Sequence, residues 1–174
     1  WAFNPMSSVM LRNMGNGAAV GDVDRDGDLD VLMLGQLGHP NALFRNQLAE
    51  TGSATFADVT EAAGLANAGG SRTASFADVA NDDAEALVVL NDWDGEQAGN
   101  PSTIWQNDGS GRFTNVTPVS GFAPVGYLAG GLSLGDYDRD GLLDVYVSYW
   151  TMELGEDLTR STTPRGQFKG LNRL

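Results

Sequence analysis

Short runs rich in Val, Leu, Phe and Tyr are separated by clusters of Gly, Asp and Asn along the chain, and apolar residues nowhere recur at helical spacing. That pattern predicts strands joined by turns. A first region reads as a small-residue strand at 17–21, then strands at 29–34, 41–46 (NALFRN) and 56–60 (FADVT). A second region has strands at 87–90, 102–107 and 113–117, the last two joined by a hairpin turn, NDGSG, at 107–111. A third has strands at 130–135 and 143–150.

The turns between the first two strands of the outer regions hold nine of the 23 acidic residues: Asp22, Asp24, Asp26, Asp28 and Asp30 in GDVDRDGDLDV, and Asp136, Asp138, Asp140 and Asp144 in GDYDRDGLLDV. Both read DxDxDGxxD. Alternate carboxylates in a tight loop converge on one point, and the sixth-position glycine takes a turn that a side chain would obstruct. Two carboxylates about 4 Å apart repel by up to ~4 kcal/mol at an effective dielectric near 20, so four of them call for a cation. A hard ion with oxygen ligands, Ca2+ above all, is the expected occupant. The spacing assigns one Ca2+ to the side chains of Asp22, Asp24, Asp26 and Asp30 with the Asp28 carbonyl. It assigns a second to Asp136, Asp138, Asp140 and Asp144 with the Leu142 carbonyl. An EF-hand is excluded, because position 12 is Met33 in one loop and Val147 in the other rather than a bidentate glutamate, and strands rather than helices flank both.

A decayed third copy lies between them at 75–86, with Asp78 and Asp82 kept but Ala80, Asp83 and Ala86 where aspartate, glycine and aspartate belong. It has lost its expected metal. Asp22, Asp78 and Asp136 are 56 and 58 residues apart, and Phe56/Phe113, Val59/Val116, Thr60/Thr117 and Gly64/Gly121 are each 57 apart. A fixed period of this size, with several strands per unit, predicts an all-β propeller of four-stranded antiparallel blades. The units fall at about 15–66, 72–122 and 129–174, the last incomplete, so residues 1–174 read as one propeller segment of about three blades within a larger ring.

Composition narrows the function. The chain has 174 residues, no cysteine and a net charge of -13 from 10 Lys+Arg and 23 Asp+Glu. Thiolate zinc sites, disulfides and cysteine nucleophiles are excluded. Nucleic acid and anionic membranes are poor partners for such a surface, and no apolar run is long enough to insert in a bilayer. The opening Trp1 reads as a mature product or a piece of something longer. His39 is the sole histidine, without a Gly-x-Ser-x-Gly elbow anywhere in the chain, and reads as a loop residue. No glycine cluster forms a phosphate cradle. The segment 91–96 reads as an ordinary acidic loop, and the Asn115-Val116-Thr117 sequon carries little weight because Pro118 follows it on a strand.

These residues resemble the FG-GAP/VCBS repeats of integrin-alpha-type propellers. More narrowly, GAAVGDVDRDGDLDVLML, NALFRNQ and FADVTEAAGLA are similar to the cartilage acidic protein or ASPIC/UnbV group. The resemblance implies blades of four antiparallel strands, calcium on the DxDxDGxxD loops, an extracytoplasmic location, and roles in adhesion or assembly. The expected function is a non-enzymatic scaffold or interaction surface. The alternative is the propeller portion of a secreted enzyme acting on polysaccharide, with catalysis elsewhere. The expected partner is a protein, or further chain completing the ring, with carbohydrate also open. The docking element is a loop at 151–171 that holds Arg160, Arg165, Phe168 and Lys169 beside Trp150, before a third strand aligned with 172–174.

Overall fold

The computed structural model describes residues 17–36, 39–66, 70–91, 101–122, 128–150 and 165–169 and arranges them in three antiparallel sheets. The first contains β1 (Ala18–Gly21), β2 (Asp30–Met33), β3 (Ala42–Asn46) and β4 (Phe56–Asp58). In the second are β5 (Ser71–Ala77), β6 (Ala86–Asn91), β7 (Thr103–Asn107) and β8 (Phe113–Asn115), and in the third β9 (Leu128–Gly135), β10 (Asp144–Trp150) and β11 (Arg165–Lys169). Each is a meander in which neighbours in sequence are neighbours in space. The sheets meet along β1, β5 and β9, so the fold is an all-β propeller of antiparallel blades. One helical turn, α1 (Leu48–Thr51), joins β3 to β4 and ends at Gly52 in the left-handed region, φ 71°. No helix among the described residues is long and apolar enough to cross a membrane.

Period-two alternation explains why the blades stack. All six residues of β6 are buried, because each of its faces meets a different neighbour. Leu87 and Val89 join Ala19, Leu32, Leu34 and Leu43 of the first blade in one core. Ala86, Val88 and Leu90 join Ile104, Val145 and Val147 in the other. The rings of Phe76 and Phe113 lie 6.1 Å apart in the first of these cores. Gly21 is required there: a Cβ would meet Phe76 Cβ at 2.8 Å, so the innermost strands approach only because β1 ends without a side chain. On the outward face of the first blade, Val20 and Met33 are 55% and 45% exposed, at the repeat positions where the second blade buries Phe76 and Val89.

The repeated landmarks have structural causes. Thr60 and Thr117 place their hydroxyls on the amides of Leu43 and Ile104 (2.8 and 2.9 Å), fastening the end of each fourth strand to the third. The Asn115 carboxamide oxygen accepts from the Thr117 amide at 3.0 Å, so the sequon residues form this blade turn. Gly64 and Gly121 follow at φ 79° and 71°, and the Ala63 carbonyl accepts from Phe113, tying the first blade's exit to the second blade.

The third blade corrects the sequence reading. Its third strand is β11, pairing Val145 with Lys169 and Tyr149 with Arg165, not a strand beginning at 172. Lys169 therefore stands opposite β10 where Phe44 stands opposite β2 and Trp105 opposite β6. Arg165, Phe168 and Lys169 belong to a blade strand rather than to a loop, because backbone pairing with β10 overrides the match to NALFRN. Arg160, the acidic stretch from Asp92 to Glu96, and residues 172–174 lie outside the described residues.

Ile104 is fully buried between the second and third blades, so Ile104→Ala is expected to destabilise the protein by about 3 kcal/mol in urea unfolding. Gly21→Ala is expected to cost about 1–3 kcal/mol by overpacking against Phe76, a loss that Gly135→Ala, with open space at its Cβ, does not share.

Candidate metal centre

All three hairpin loops are folded by the same hydrogen bonds. Asp22 accepts from the amides of Asp26 and Gly27 (both 3.1 Å), Asp78 from Asp82 and Asp83 (3.0 and 2.9 Å), and Asp136 from Asp140 and Gly141 (3.2 and 3.0 Å). The fifth-position aspartate then receives the seventh-position amide: Asp26 from Asp28, Asp82 from Ala84, Asp140 from Leu142. The sixth position has positive φ in each, 91° at Gly27 and 89° at Gly141, and Asp83 takes 62° without being glycine. The fourth position is also left-handed, at Arg25, Asn81 and Arg139, a feature the motif does not announce.

This pattern explains what the second loop kept. Asp78 and Asp82 shape the turn, whereas positions three, seven and nine are alanines and offer no oxygen beyond the backbone. In the outer loops those other positions do bring oxygens together. Carboxylate oxygens of Asp22, Asp24 and Asp30 lie within 4.8 Å of one another, as do those of Asp136, Asp138 and Asp144. Oxygens bound to a single Ca2+ at 2.3–2.6 Å stand at most about 5 Å apart, so both triads fit one ion. Asp26 and Asp140 fall outside these triads, each with one oxygen engaged by the turn; Asp26 groups instead with Asp24 and Glu50.

Burial sharpens the first loop. Asp30 is fully buried, its oxygens accepting from the amides of Val23 (2.9 Å) and Asn46 (2.8 Å), so it fastens the loop to β3. Asp144 likewise receives the Tyr137 amide at 2.8 Å. Burial raises the Asp30 carboxyl to about 6, against the two amides, which pull it down, and with Asp24 and Asp28 adding to the rise. Asp24 is also raised, first by burial and then by Asp26, while Arg45 opposes. Asp24 Oδ1, Asp26 Oδ2 and Asp28 Oδ1 are buried and receive no hydrogen bond. Buried acceptors of this kind are ordinarily satisfied, so three in one loop fit a cation.

Sequence reasoning missed the surroundings of this loop. Arg45 of β3 reaches Asp24 Oδ2 at 3.2 Å and Glu50 of α1 at 3.6 Å; the signal was the Arg in NALFRN. The Asp28 side chain, assigned only a carbonyl role, accepts from the Ala49 amide at 2.9 Å. From the second blade, Asn107 donates to the Val23 carbonyl (2.8 Å), and Arg25 of the first loop donates in return to the Asp82 carbonyl (3.0 Å). Glu85 lies against Asp22 and Asp78 with its carboxyl raised, chiefly by burial. His39 lines a hollow of about 340 Å3 with Met33, Gln36 and Pro40, away from the acidic loops.

In calcium-free protein the Asp30 carboxyl carbon is expected to titrate near pH 6 rather than near 3.8, read by carbon NMR. Its folded-state value is the higher one, so its contribution to stability is complete below about pH 4 and is lost as the pH rises to about 6. A midpoint in the ordinary carboxylate range contradicts this. Asp30→Ala orphans two buried amides and is expected to cost about 2–5 kcal/mol in urea unfolding with chelator present, more than Asp24→Ala.

A search of curated proteins finds no match to the chain. Residues 84–147 match the family model described as FG-GAP-like repeat, a span running from the second loop through β6 to β9 and the third loop into β10. Such repeats are structural, non-catalytic units that fit a propeller, so the chain contains an FG-GAP-like repeat built from its second and third blades.

Proposed function

We propose that this chain is a calcium-binding propeller module that works outside the cytoplasm as a non-enzymatic scaffold for protein contacts. The observation that carries the reading is the contrast among the three loops: two gather three carboxylates within 4.8 Å, and the one between them keeps only the aspartates its turn needs. Asp22, Asp24, Asp26 and Asp30 with the Asp28 carbonyl would hold one ion, and Asp136, Asp138, Asp140 and Asp144 with the Leu142 carbonyl the other. The ion supplies charge neutralisation. Two Ca2+ change the formal charge from -13 to -9 and relieve the repulsion among the loop carboxylates.

Loops of this donor set suit the millimolar calcium of extracellular modules, which supports an exported location. NALFRN and FADVTEAAGLA favour the cartilage acidic protein or ASPIC/UnbV group within the wider family. The contact surface is the outward face of the first blade. Val20 and Met33 are solvent-exposed there, whereas the same positions in the second blade pack against a neighbour, so a further blade of the ring is the occupant that matches.

Isothermal titration is expected to find two Ca2+ per chain. Chelation should lower the melting temperature by roughly 5–10 °C, since binding at a hundredfold the Kd stabilises by about 2.7 kcal/mol. Asp78→Ala should leave the stoichiometry at two. Absence of binding, or an ion lost with Asp78→Ala, would overturn the assignment.

A further inference from the structure

We propose that Glu50 joins the coordination shell of the first acidic loop and makes it the tighter of two unequal calcium sites, filling before the loop at 136–144. This inference rests on the calcium reading above. Glu50 comes from outside the loop, on α1 in the β3–β4 connection, yet its carboxylate lies with those of Asp24 and Asp26 in a group whose oxygens are all within 4.8 Å. That spacing is within the span of two oxygens on a single Ca2+. The helical turn is pinned to the loop by Asp28, which is nine-tenths buried and receives the Ala49 amide on Oδ2. Its other oxygen, Oδ1, is buried without a hydrogen-bond partner, as are Asp24 Oδ1 and Asp26 Oδ2.

Arg45 does not complete this cluster. Its Nη1 holds Asp24 Oδ2 at 3.2 Å and its Nη2 approaches Glu50 at 3.6 Å, leaving Asp24 Oδ1 unpaired. One guanidinium offsets one charge among six carboxylates: Asp22, Asp24, Asp26, Asp28, Asp30 and Glu50. It is a positioning residue, because it fixes Asp24 and Glu50 relative to each other while a divalent ion is still needed for the oxygens it does not reach. The third loop has four aspartates, and among the described residues only Asp136, Asp138 and Asp144 converge. Affinity in oxygen-ligand calcium sites rises with the number of charged ligands, and the first loop has more of them.

The test is a calcium titration of the whole chain by calorimetry. Two classes of site are expected in the unsubstituted protein, with Asp136→Asn removing the weaker class and leaving the tighter. Glu50→Gln should weaken the tighter class about tenfold, the order expected for one charged ligand, without moving the weaker class. Glu50→Asp should recover part of the loss. The melting temperature of Glu50→Gln in excess chelator should equal that of the unsubstituted protein, because Glu50 is exposed and its effect runs through the ion. Two equal sites in the unsubstituted protein, an unchanged tight class in Glu50→Gln, or a loss of stability in chelator would each overturn the proposal while leaving the calcium reading intact. A chain that binds no calcium at all overturns both.

Discussion

Three aspartates at the tips of three hairpins, Asp22, Asp78 and Asp136, each turn both carboxylate oxygens back onto the amides of their own loop. These bonds close a turn with two left-handed residues, a conformation that costs about 1 kcal/mol or more at a non-glycine position. The same side chains that stabilise the turn also aim the alternate carboxylates inward. Chain folding and ion binding therefore share residues, and the second loop shows which belong to which: it keeps the turn with Asp78 and Asp82 and has shed the rest.

The loops are not independent of the blades behind them. Asp30 is the last residue of the first motif and the first of β2, and its buried carboxylate reaches the β3 amide of Asn46. Asn107 and Arg25 exchange hydrogen bonds between the first loop and the second blade's rim, and the Gly21 contact with Phe76 brings the innermost strands together just beneath. A change in the first loop is thus felt at an interface between blades, through a carboxylate, two side-chain-to-carbonyl bonds and a glycine contact.

Electrostatics separates the two acidic loops more than their common motif implies. In the first, burial and mutual repulsion raise Asp24 and Asp30, and a single guanidinium is the only basic group hydrogen-bonded to the carboxylates there among the described residues. The Arg45–Asp24 pair is partly exposed and contributes little to stability on its own; its consequence is geometric, because it leaves the other Asp24 oxygen available. The third loop sits on a more open rim, with Tyr137 73% exposed.

The hydrophobic alternation and the 57-residue spacing determined the blades, because a strand buried on both faces must read as a continuous apolar run and a repeat must reproduce its turns. Val88 and Leu90, Thr60 and Thr117, Gly64 and Gly121 were legible for that reason. Asp22, Asp24, Asp30, Asp136, Asp138 and Asp144 were legible because their convergence is local, set within nine residues of chain. Arg45, Glu50 and Asn107 were not, since they reach the first loop from a strand, a helical turn and a neighbouring blade, and no local spacing encodes such an approach. The position of β11 was misread for a related reason: the match of residues 172–174 to NALFRN is a resemblance of letters, whereas pairing with β10 is decided by which backbone donors and acceptors lie opposite Val145 to Tyr149 once the blades have stacked.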